Sequence, residues 1–139
     1  RANILEQDKH GATALFYTGS YSIAHFLLQQ GVDVNHRDNQ GATALMKAAW
    51  SNKCEVAKLL LQHRADIAQC NDKDETALMW AAKKGYVDVA KLQLQHRADA
   101  EQRNNDGATA YDIAIQQEEA GMVALVARAM EQIEAVDGH

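Results

Sequence analysis

Proline is absent from this sequence of 139 residues, and cysteine occurs only twice. Proline breaks helix interiors, whereas alanine, which occurs 25 times, enters a helix at the lowest entropic cost, so the composition favours helices. Two cysteines cannot form a disulfide framework, and the spacing of Cys54 and Cys70 matches no common zinc site. The length favours a single domain.

Long apolar runs and an excess of basic residues are also missing. No apolar stretch approaches the roughly 20 residues that a membrane span needs. The net charge is −5, whereas nucleic-acid-binding domains contact phosphates through a basic face. Membrane insertion and nucleic-acid binding are therefore not expected. Because the chain begins at Arg1 rather than at methionine, we expect a fragment or a processed form; its location stays open, with the cytoplasm slightly favoured over an exported, periplasmic form.

A repeat of 33 residues organises the chain. The segment GATAL at residues 11–15 returns at residues 41–45, and degenerate copies follow as ETAL at residues 75–78 and GATAY at residues 107–111. Residues 34–66 match residues 67–99 without a gap at 16 of 33 positions. Only two or three matches are expected by chance, so the repeat predicts a stack of similar units.

Each unit has the pattern of two short helices and a loop. Thr43, Thr76 and Thr109 directly precede apolar stretches, where a hydroxyl accepts a hydrogen bond from an unpaired helix amide. In the second helix, Val56 and the leucines at 59 and 60 have the spacing of a helical core stripe. The residues between units are rich in Asp, Asn and Gly, which is typical of turns.

The repeat resembles the ankyrin family, whose unit has the pattern D-x-x-G-x-T-P-L-H-x-A-A…V-x-x-L-L-x-x-G-A-D. The second unit matches this pattern at Asp38, Gly41, Thr43, Leu45, Ala48, Ala49, Leu60, Leu61, Ala65 and Asp66. The resemblance implies one all-α domain over residues 1–139, with units at about 5–33, 34–66, 67–99 and 100–132. It implies a solenoid of stacked antiparallel helix pairs with projecting hairpin-like loops, and we expect a monomer.

Three departures from the family pattern concern helix chemistry. The proline and histidine of T-P-L-H are missing throughout. The glycine that ends the second helix persists only as Gly31, and Arg64 and Arg97 replace it; a left-handed arginine there would cost about 1 kcal/mol. Gln93 interrupts an apolar stripe that holds Leu60 in the preceding unit, and a buried amide without partners costs roughly 1–3 kcal/mol.

The two ends of the repeat array also differ from its middle. Thr13 lies 30 rather than 33 residues before Thr43, and the shortening falls between Phe16 and Ser22. Either the first helix is clipped, or residues are missing from the sequence. The last unit is more polar, as a terminal capping repeat requires, and we predict that a helix over residues 122–133 closes the stack.

The resemblance implies that partners bind the concave side, formed by the loop tips and the exposed face of each first helix. Both tryptophans are expected on the exposed face of the first helices. The repeat alignment places three lysines and no acidic residue beside them on these helices. Tryptophan is enriched at interface hot spots, although the two rings could instead pack as lids over neighbouring helices. The expected partner carries acidic and apolar groups. The candidate residues are Tyr17, Lys47, Trp50, Trp80, Lys83, Lys84, Ile113 and Gln116 on the helices and Asn39, Gln40, Asp72, Lys73 and Glu75 at the tips.

No motif of a hydrolase, phosphate-binding loop or metalloprotease occurs. His63 and His96 occupy equivalent helix ends and are expected in solvent, and Cys54 is expected to be a packed thiol. We therefore expect a non-catalytic protein-binding domain without a cofactor or metal. The alternatives are an inhibitor or immunity protein that covers the active site of an enzyme and, more remotely, an enzyme that uses His36 or Cys70.

Overall fold

Apolar residues at helical spacing fold each repeat into two helices joined by a tight turn. The computed structural model of the protein describes residues 6–137, with side chains described to residue 132. The helices of this range are α1 (Ala14–Tyr17), α2 (Tyr21–Gln29), α3 (Ala44–Trp50), α4 (Cys54–Gln62), α5 (Ala77–Lys84), α6 (Val87–Gln95), α7 (Ala110–Gln116) and α8 (Ala120–Asp137). Because residues 6–137 contain no strand, the predicted all-α fold is confirmed.

The helices form two layers. The first helices α1, α3, α5 and α7 pack side by side in that order, and the second helices α2, α4, α6 and α8 form a parallel row behind them. Alanines at 48, 49, 81 and 82 are at most 4% exposed and let neighbouring first helices approach closely. One hydrophobic core runs through all four repeats, as expected for units that stabilise one another through their interfaces.

Threonine caps start three of the four first helices. The side chains of Thr43 and Thr76 accept hydrogen bonds from the amides of Met46 and Met79. Thr109 forms a reciprocal capping box with Asp112. These hydroxyls satisfy amides that have no partner within the helix, so the prediction from the repeat alignment is confirmed.

The first repeat accommodates its shortening by clipping its first helix. Helix α1 has four residues, whereas α3 and α5 have seven and eight. Thr13 makes no capping bond, and its buried hydroxyl has no hydrogen-bond partner. The chain then crosses to α2, whose first turn is capped by Ser20.

The last repeat is closed by the longest helix. Helix α8 has 18 residues and packs against both α6 and α7. It starts two residues before and ends four residues after the predicted range of 122–133. None of the helices in the described part of the chain combines the length and the apolar character that crossing a membrane requires.

Two arginines adopt the left-handed conformation at the ends of second helices. The φ angle is 68° at Arg64 and 69° at Arg97. After each arginine, the amide of the following alanine bonds back to the carbonyl five residues earlier, Leu60 or Gln93, at 2.9 and 3.0 Å. This pattern is the Schellman motif, which glycine usually ends because it has no Cβ. The backbone geometry is therefore kept despite the arginine side chains.

Replacing Arg97 with glycine is expected to raise the free energy of unfolding by about 0.5 kcal/mol. Glycine removes the left-handed penalty of about 1 kcal/mol, but part of the gain is lost because the unfolded chain becomes more flexible. Urea denaturation measures the change. The matched control is Gly31→Arg, at the equivalent position with φ 88°, which should lower stability by a similar amount. A lower midpoint for Arg97→Gly would show that the arginine makes a contact that outweighs the strain.

The loop tips have a repeated internal structure. In each repeat a side-chain oxygen, Oδ1, accepts hydrogen bonds from the backbone amides two and four residues later, at 2.8–3.0 Å. The residue that provides this oxygen is Asp8, Asp38, Asn71 or Asn104. This interaction shapes each tip as a tight turn.

Backbone hydrogen bonds also join each tip to the next. The amides of Asn39, Asp72 and Asn105 donate to the carbonyls of His10, Gln40 and Lys73 at 2.8, 3.0 and 3.0 Å. The tips are therefore held in one row along the molecule. Gly41 has a positive φ of 82°, which disfavours any other residue, and a Cβ there would lie 2.6 Å from Arg37 Nη2 and 2.8 Å from Asp72 Oδ1, so these side chains would have to move.

Candidate functional site

Two tryptophans from neighbouring repeats meet on the row of first helices. Trp50 is the last residue of α3, and Trp80 lies in the middle of α5. Their rings pack edge to face, with centroids 5.4 Å apart and an angle of 67° between the planes. Trp50 is 38% exposed, whereas Trp80 is half-buried and also touches the core. The pair thus presents aromatic surface that is only partly used in folding.

Lysine ammonium groups surround this pair. Lys47 Nζ lies 5.7 Å from the centroid of the Trp80 ring. On the other side, Lys83 and Lys84 place their Nζ atoms 5.7 and 4.7 Å from the centroid of Trp50. These distances are within the range of about 6 Å for cation–π attraction. The repeat alignment explains the pattern, because position 47 corresponds to 80 and position 50 to 83. Each of these two pairs of equivalent positions therefore contains one lysine and one tryptophan.

A cleft connects the aromatic pair to the loop tips. Its volume is about 210 Å³, and it is lined by Lys47, Trp50, Lys73, Glu75, Trp80 and Lys83. Six residues proposed from the sequence are therefore brought together in one place. Two of them, Lys73 and Glu75, come from the tip of the third repeat, so the cleft combines helix and tip contributions.

Acidic side chains lie closer to this surface than the helix rows indicated. Glu75 lines the cleft, and a carboxylate oxygen of Asp38 lies 4.0 Å from Lys47 Nζ. The Asp38 side chain is only 6% exposed, because it also organises its own turn. Lys47 is thus partly neutralised. In the part of the chain that the structure describes, Lys73, Lys83 and Lys84 form no ion pair. Lys73 and Lys83 bring positive charge to the cleft, and Lys84 brings it to the Trp50 ring.

Tyr17 occupies a second cleft beside the first. This cleft has a volume of about 300 Å³ and is lined by His10, Tyr17, Asp38, Asn39, Gln40 and Lys47. The Tyr17 hydroxyl donates a hydrogen bond to the Asp8 carboxylate, which lowers the pKa of Asp8 and raises the pKa of Tyr17. The ring is 57% exposed. Lys47 lines both clefts and separates the tyrosine from the tryptophans.

Two candidates on α7 do not join these clefts. Ile113 is only 9% exposed and belongs to the hydrophobic core, because α5 and α7 pack against each other and cover an apolar side chain at this position. Its expected place on the exposed face is corrected accordingly. Gln116 is exposed but lines neither cleft. Asp72 is also exposed and lies 3.9 Å from Arg37.

His10 and Asp38 line the Tyr17 cleft but were not among the residues proposed from the sequence. Asp38 could have been found because residues 8, 38, 71 and 104 follow the repeat spacing and mark the turns before the first helices. His10 could have been found because it aligns with the tip residue Gln40.

The residues considered for catalysis, His36 and Cys70, do not line either of the two clefts. His36 Nε2 lies 2.8 Å from the carbonyl oxygen of Gly11 and contributes to an inter-repeat contact. Cys70 lies 2.7 Å from the side-chain nitrogen of Gln102. Burial and the negative charge of Asp88 raise the pKa of the Cys54 thiol, which disfavours the reactive thiolate. Among the described residues, no group of three or more His, Cys, Asp and Glu side chains is placed to hold a metal ion.

Comparison with known proteins agrees with the repeat geometry. A family model described as ankyrin repeats in three copies matches residues 1–71 and again residues 64–137. No curated protein sequence matches the chain. The two matches together span residues 1–137, which include all eight helices of the described range. The chain belongs to the ankyrin repeat family, whose repeats generally serve as protein–protein interaction modules and are typically non-catalytic.

Proposed function

We propose that the protein binds a protein partner through a concave surface centred on Trp50 and Trp80. The observation that supports this most directly is the partly exposed aromatic pair with three lysines at its rings. The surface also includes Tyr17 and the tip residues Asn39, Gln40, Asp72, Lys73 and Glu75. Ile113 is not part of it, because its side chain is buried.

The chemistry of the aromatic pair indicates what a partner must carry. Ammonium groups lie over the indole rings in the unbound protein and cover part of them. A carboxylate attracts an ammonium group more strongly than an indole ring does. A partner carboxylate that pairs with Lys83 or Lys84 would draw it off the Trp50 ring. An apolar partner side chain could then take its place against the indole. The surface therefore suits a segment in which acidic and apolar side chains alternate or lie side by side.

The tips favour binding by being ordered in advance. Their turns and the hydrogen bonds between them fix the backbone before a partner arrives. Ordering a loop on binding costs conformational entropy, so a preformed row of tips lowers that cost. The tips and the helix face meet at the cleft beside Lys73 and Glu75, which gives a partner one continuous contact surface.

Neutralising Lys83 or Lys84 is expected to slow partner association about threefold at low salt. These ammonium groups lie at the rim of the aromatic pair, and rim charges act mainly on the association rate. Surface plasmon resonance at several salt concentrations measures the effect of Lys83→Gln and Lys84→Gln. The difference from wild type should shrink as salt rises. Lys91→Gln, an exposed change on the second helix α6, is the matched control and should leave the rate unchanged.

Affinity capture identifies the partner for these measurements. Wild type, the double variant Trp50→Ala/Trp80→Ala and the control His63→Ala/His96→Ala serve as baits in a native lysate. The partner is expected with wild type and the histidine control and is lost with the tryptophan variant. Retention by all three baits would contradict the proposed surface. If the captured protein is an enzyme, its activity with and without the chain tests the inhibitor hypothesis.

A further inference from the structure

The Asp38 carboxylate is a buried charge in the wall of the Tyr17 cleft. Its side chain is only 6% exposed. Oδ1 accepts hydrogen bonds from the amides of Gln40 and Ala42, each at 2.9 Å. Among the residues that the structure describes, Oδ2 accepts no hydrogen bond, and Lys47 Nζ lies 4.0 Å from it, beyond hydrogen-bond distance. This oxygen therefore keeps accepting capacity that a charged donor entering the cleft can use.

The equivalent positions of the other repeats do not offer such an oxygen. In the first repeat, the second oxygen of the Asp8 carboxylate accepts the hydrogen bond of the Tyr17 hydroxyl. In the third and fourth repeats the residue is Asn71 or Asn104, whose side chain carries no charge. Of these four turn residues, Asp38 alone combines a negative charge with an oxygen that has no hydrogen bond.

The surroundings of the Tyr17 ring are also negative. Asp8 contacts the ring hydroxyl, and Asp38 lines the same cleft, whereas Lys47 is the one lysine or arginine among the lining residues. The hydrogen bond to Asp8 has the largest effect on the pKa of Tyr17, and the charge of Asp38 helps to raise it further. The charge of this cleft is therefore opposite to the charge that Lys73 and Lys83 bring to the tryptophan cleft.

We propose that the Tyr17 cleft is the subsite for one arginine side chain of the bound partner. The proposal rests on the proposed function, because Lys47 lines this cleft and the tryptophan cleft alike. A guanidinium group has several donors in one plane and stacks on aromatic rings. It can therefore donate to Asp38 Oδ2 and lie against the ring of Tyr17, which is 57% exposed. A lysine ammonium is more strongly hydrated and has no flat face for stacking.

An arginine in this subsite also changes the charge at the neighbouring cleft. The guanidinium replaces Lys47 as the counterion of Asp38. The Lys47 ammonium, which lies 5.7 Å from the centroid of the Trp80 ring, then becomes available to a carboxylate of the partner. The partner segment is thus expected to place an arginine at the Tyr17 cleft and its acidic and apolar side chains at the tryptophan pair.

Nuclear magnetic resonance with a small arginine probe tests the subsite. N-acetyl-arginine methylamide is titrated into the ¹⁵N-labelled chain, and the backbone amides of Asn39 and Gln40 report on the cleft. We expect saturable shifts with a Kd in the millimolar range. N-acetyl-citrulline methylamide, which has the same shape without the charge, should bind about tenfold more weakly because it cannot form a charge-assisted hydrogen bond. The corresponding lysine derivative should bind about threefold more weakly than the arginine probe.

Asp38→Asn removes the charge and keeps the turn, because Asn71 and Asn104 form the same turn with their side-chain oxygens. The variant is expected to bind the arginine probe about tenfold more weakly than wild type and to lose the preference for arginine over citrulline. Asp106→Asn is the matched control. It removes one negative charge from another exposed tip and should leave the affinity unchanged.

Three results would overturn the proposal. They are equal affinities for the arginine and citrulline probes, unchanged arginine binding by Asp38→Asn, and the absence of shifts at Asn39 and Gln40. The double variant Trp50→Ala/Trp80→Ala should keep the affinity of wild type for the arginine probe. A failure of the tryptophan surface in partner capture would therefore leave the arginine result intact, and the two proposals can fail separately.

Discussion

Truncating Trp50 or Trp80 to alanine is expected to weaken partner binding by about 2 kcal/mol or more, which is at least roughly a 30-fold rise in Kd. Each ring supplies a large area with few rotatable bonds, and each lies at the junction of the helix face and the tip of the third repeat. Because the rings touch, the two truncations should not be additive, and the double variant should lose less than the sum. Isothermal titration calorimetry with the captured partner measures all three values.

Stability measurements separate binding from folding in this experiment. Trp50 is more exposed than Trp80, so its truncation should leave the thermal midpoint closest to that of wild type. The variants His63→Ala and His96→Ala change exposed residues at the ends of second helices and should bind like wild type. Unchanged binding by both tryptophan variants would move the interface to the tip residues 72–75. Loss of helical structure in both would assign the tryptophans to folding.

The fold could be predicted from the sequence because its information is repeated. A threonine before each first helix and an apolar stripe in each second helix recur every 33 residues, so each unit supports the assignment of the others. The alignment of Arg64 with Gly31 identified the position at which a left-handed residue ends the helix, and the structure shows that Arg64 adopts this conformation. The clipped α1 was harder to predict, because a three-residue deletion can be absorbed by a helix or by a turn.

The site was predictable only to the level of positions on a face. Alignment placed Trp50 and Trp80 on the same side but in different rows, and their contact depends on how α3 and α5 are offset along their axes. Similarly, the alignment could not show that Asp38 reaches Lys47, since this contact joins a tip to a helix within one repeat. Ile113 shows the opposite limit. A position exposed in one repeat becomes buried in another when the side chain is apolar and its neighbours close over it.

The buried amide of Gln93 is the clearest energetic defect in the core. The side chain is fully buried in α6, and neither its nitrogen nor its oxygen has a hydrogen-bond partner. The equivalent residues Leu60 and Val126 are also fully buried. The burial expected from the apolar stripe is thus confirmed, and the amide has lost its hydration without gaining a hydrogen bond within the protein.

Gln93→Leu is accordingly expected to raise the free energy of unfolding by about 1 kcal/mol, because leucine fills the position without an unsatisfied amide. The reciprocal variant Leu60→Gln introduces the same defect one repeat earlier and should lower stability by about 3 kcal/mol, since it combines lost apolar burial with an unpaired amide. Guanidinium denaturation followed by circular dichroism measures both. A lower midpoint for Gln93→Leu would mean that the amide makes a satisfied contact in solution. Both variants would then lower stability. The stability change would depend on the repeat in which the position lies and not on whether the residue is glutamine or leucine.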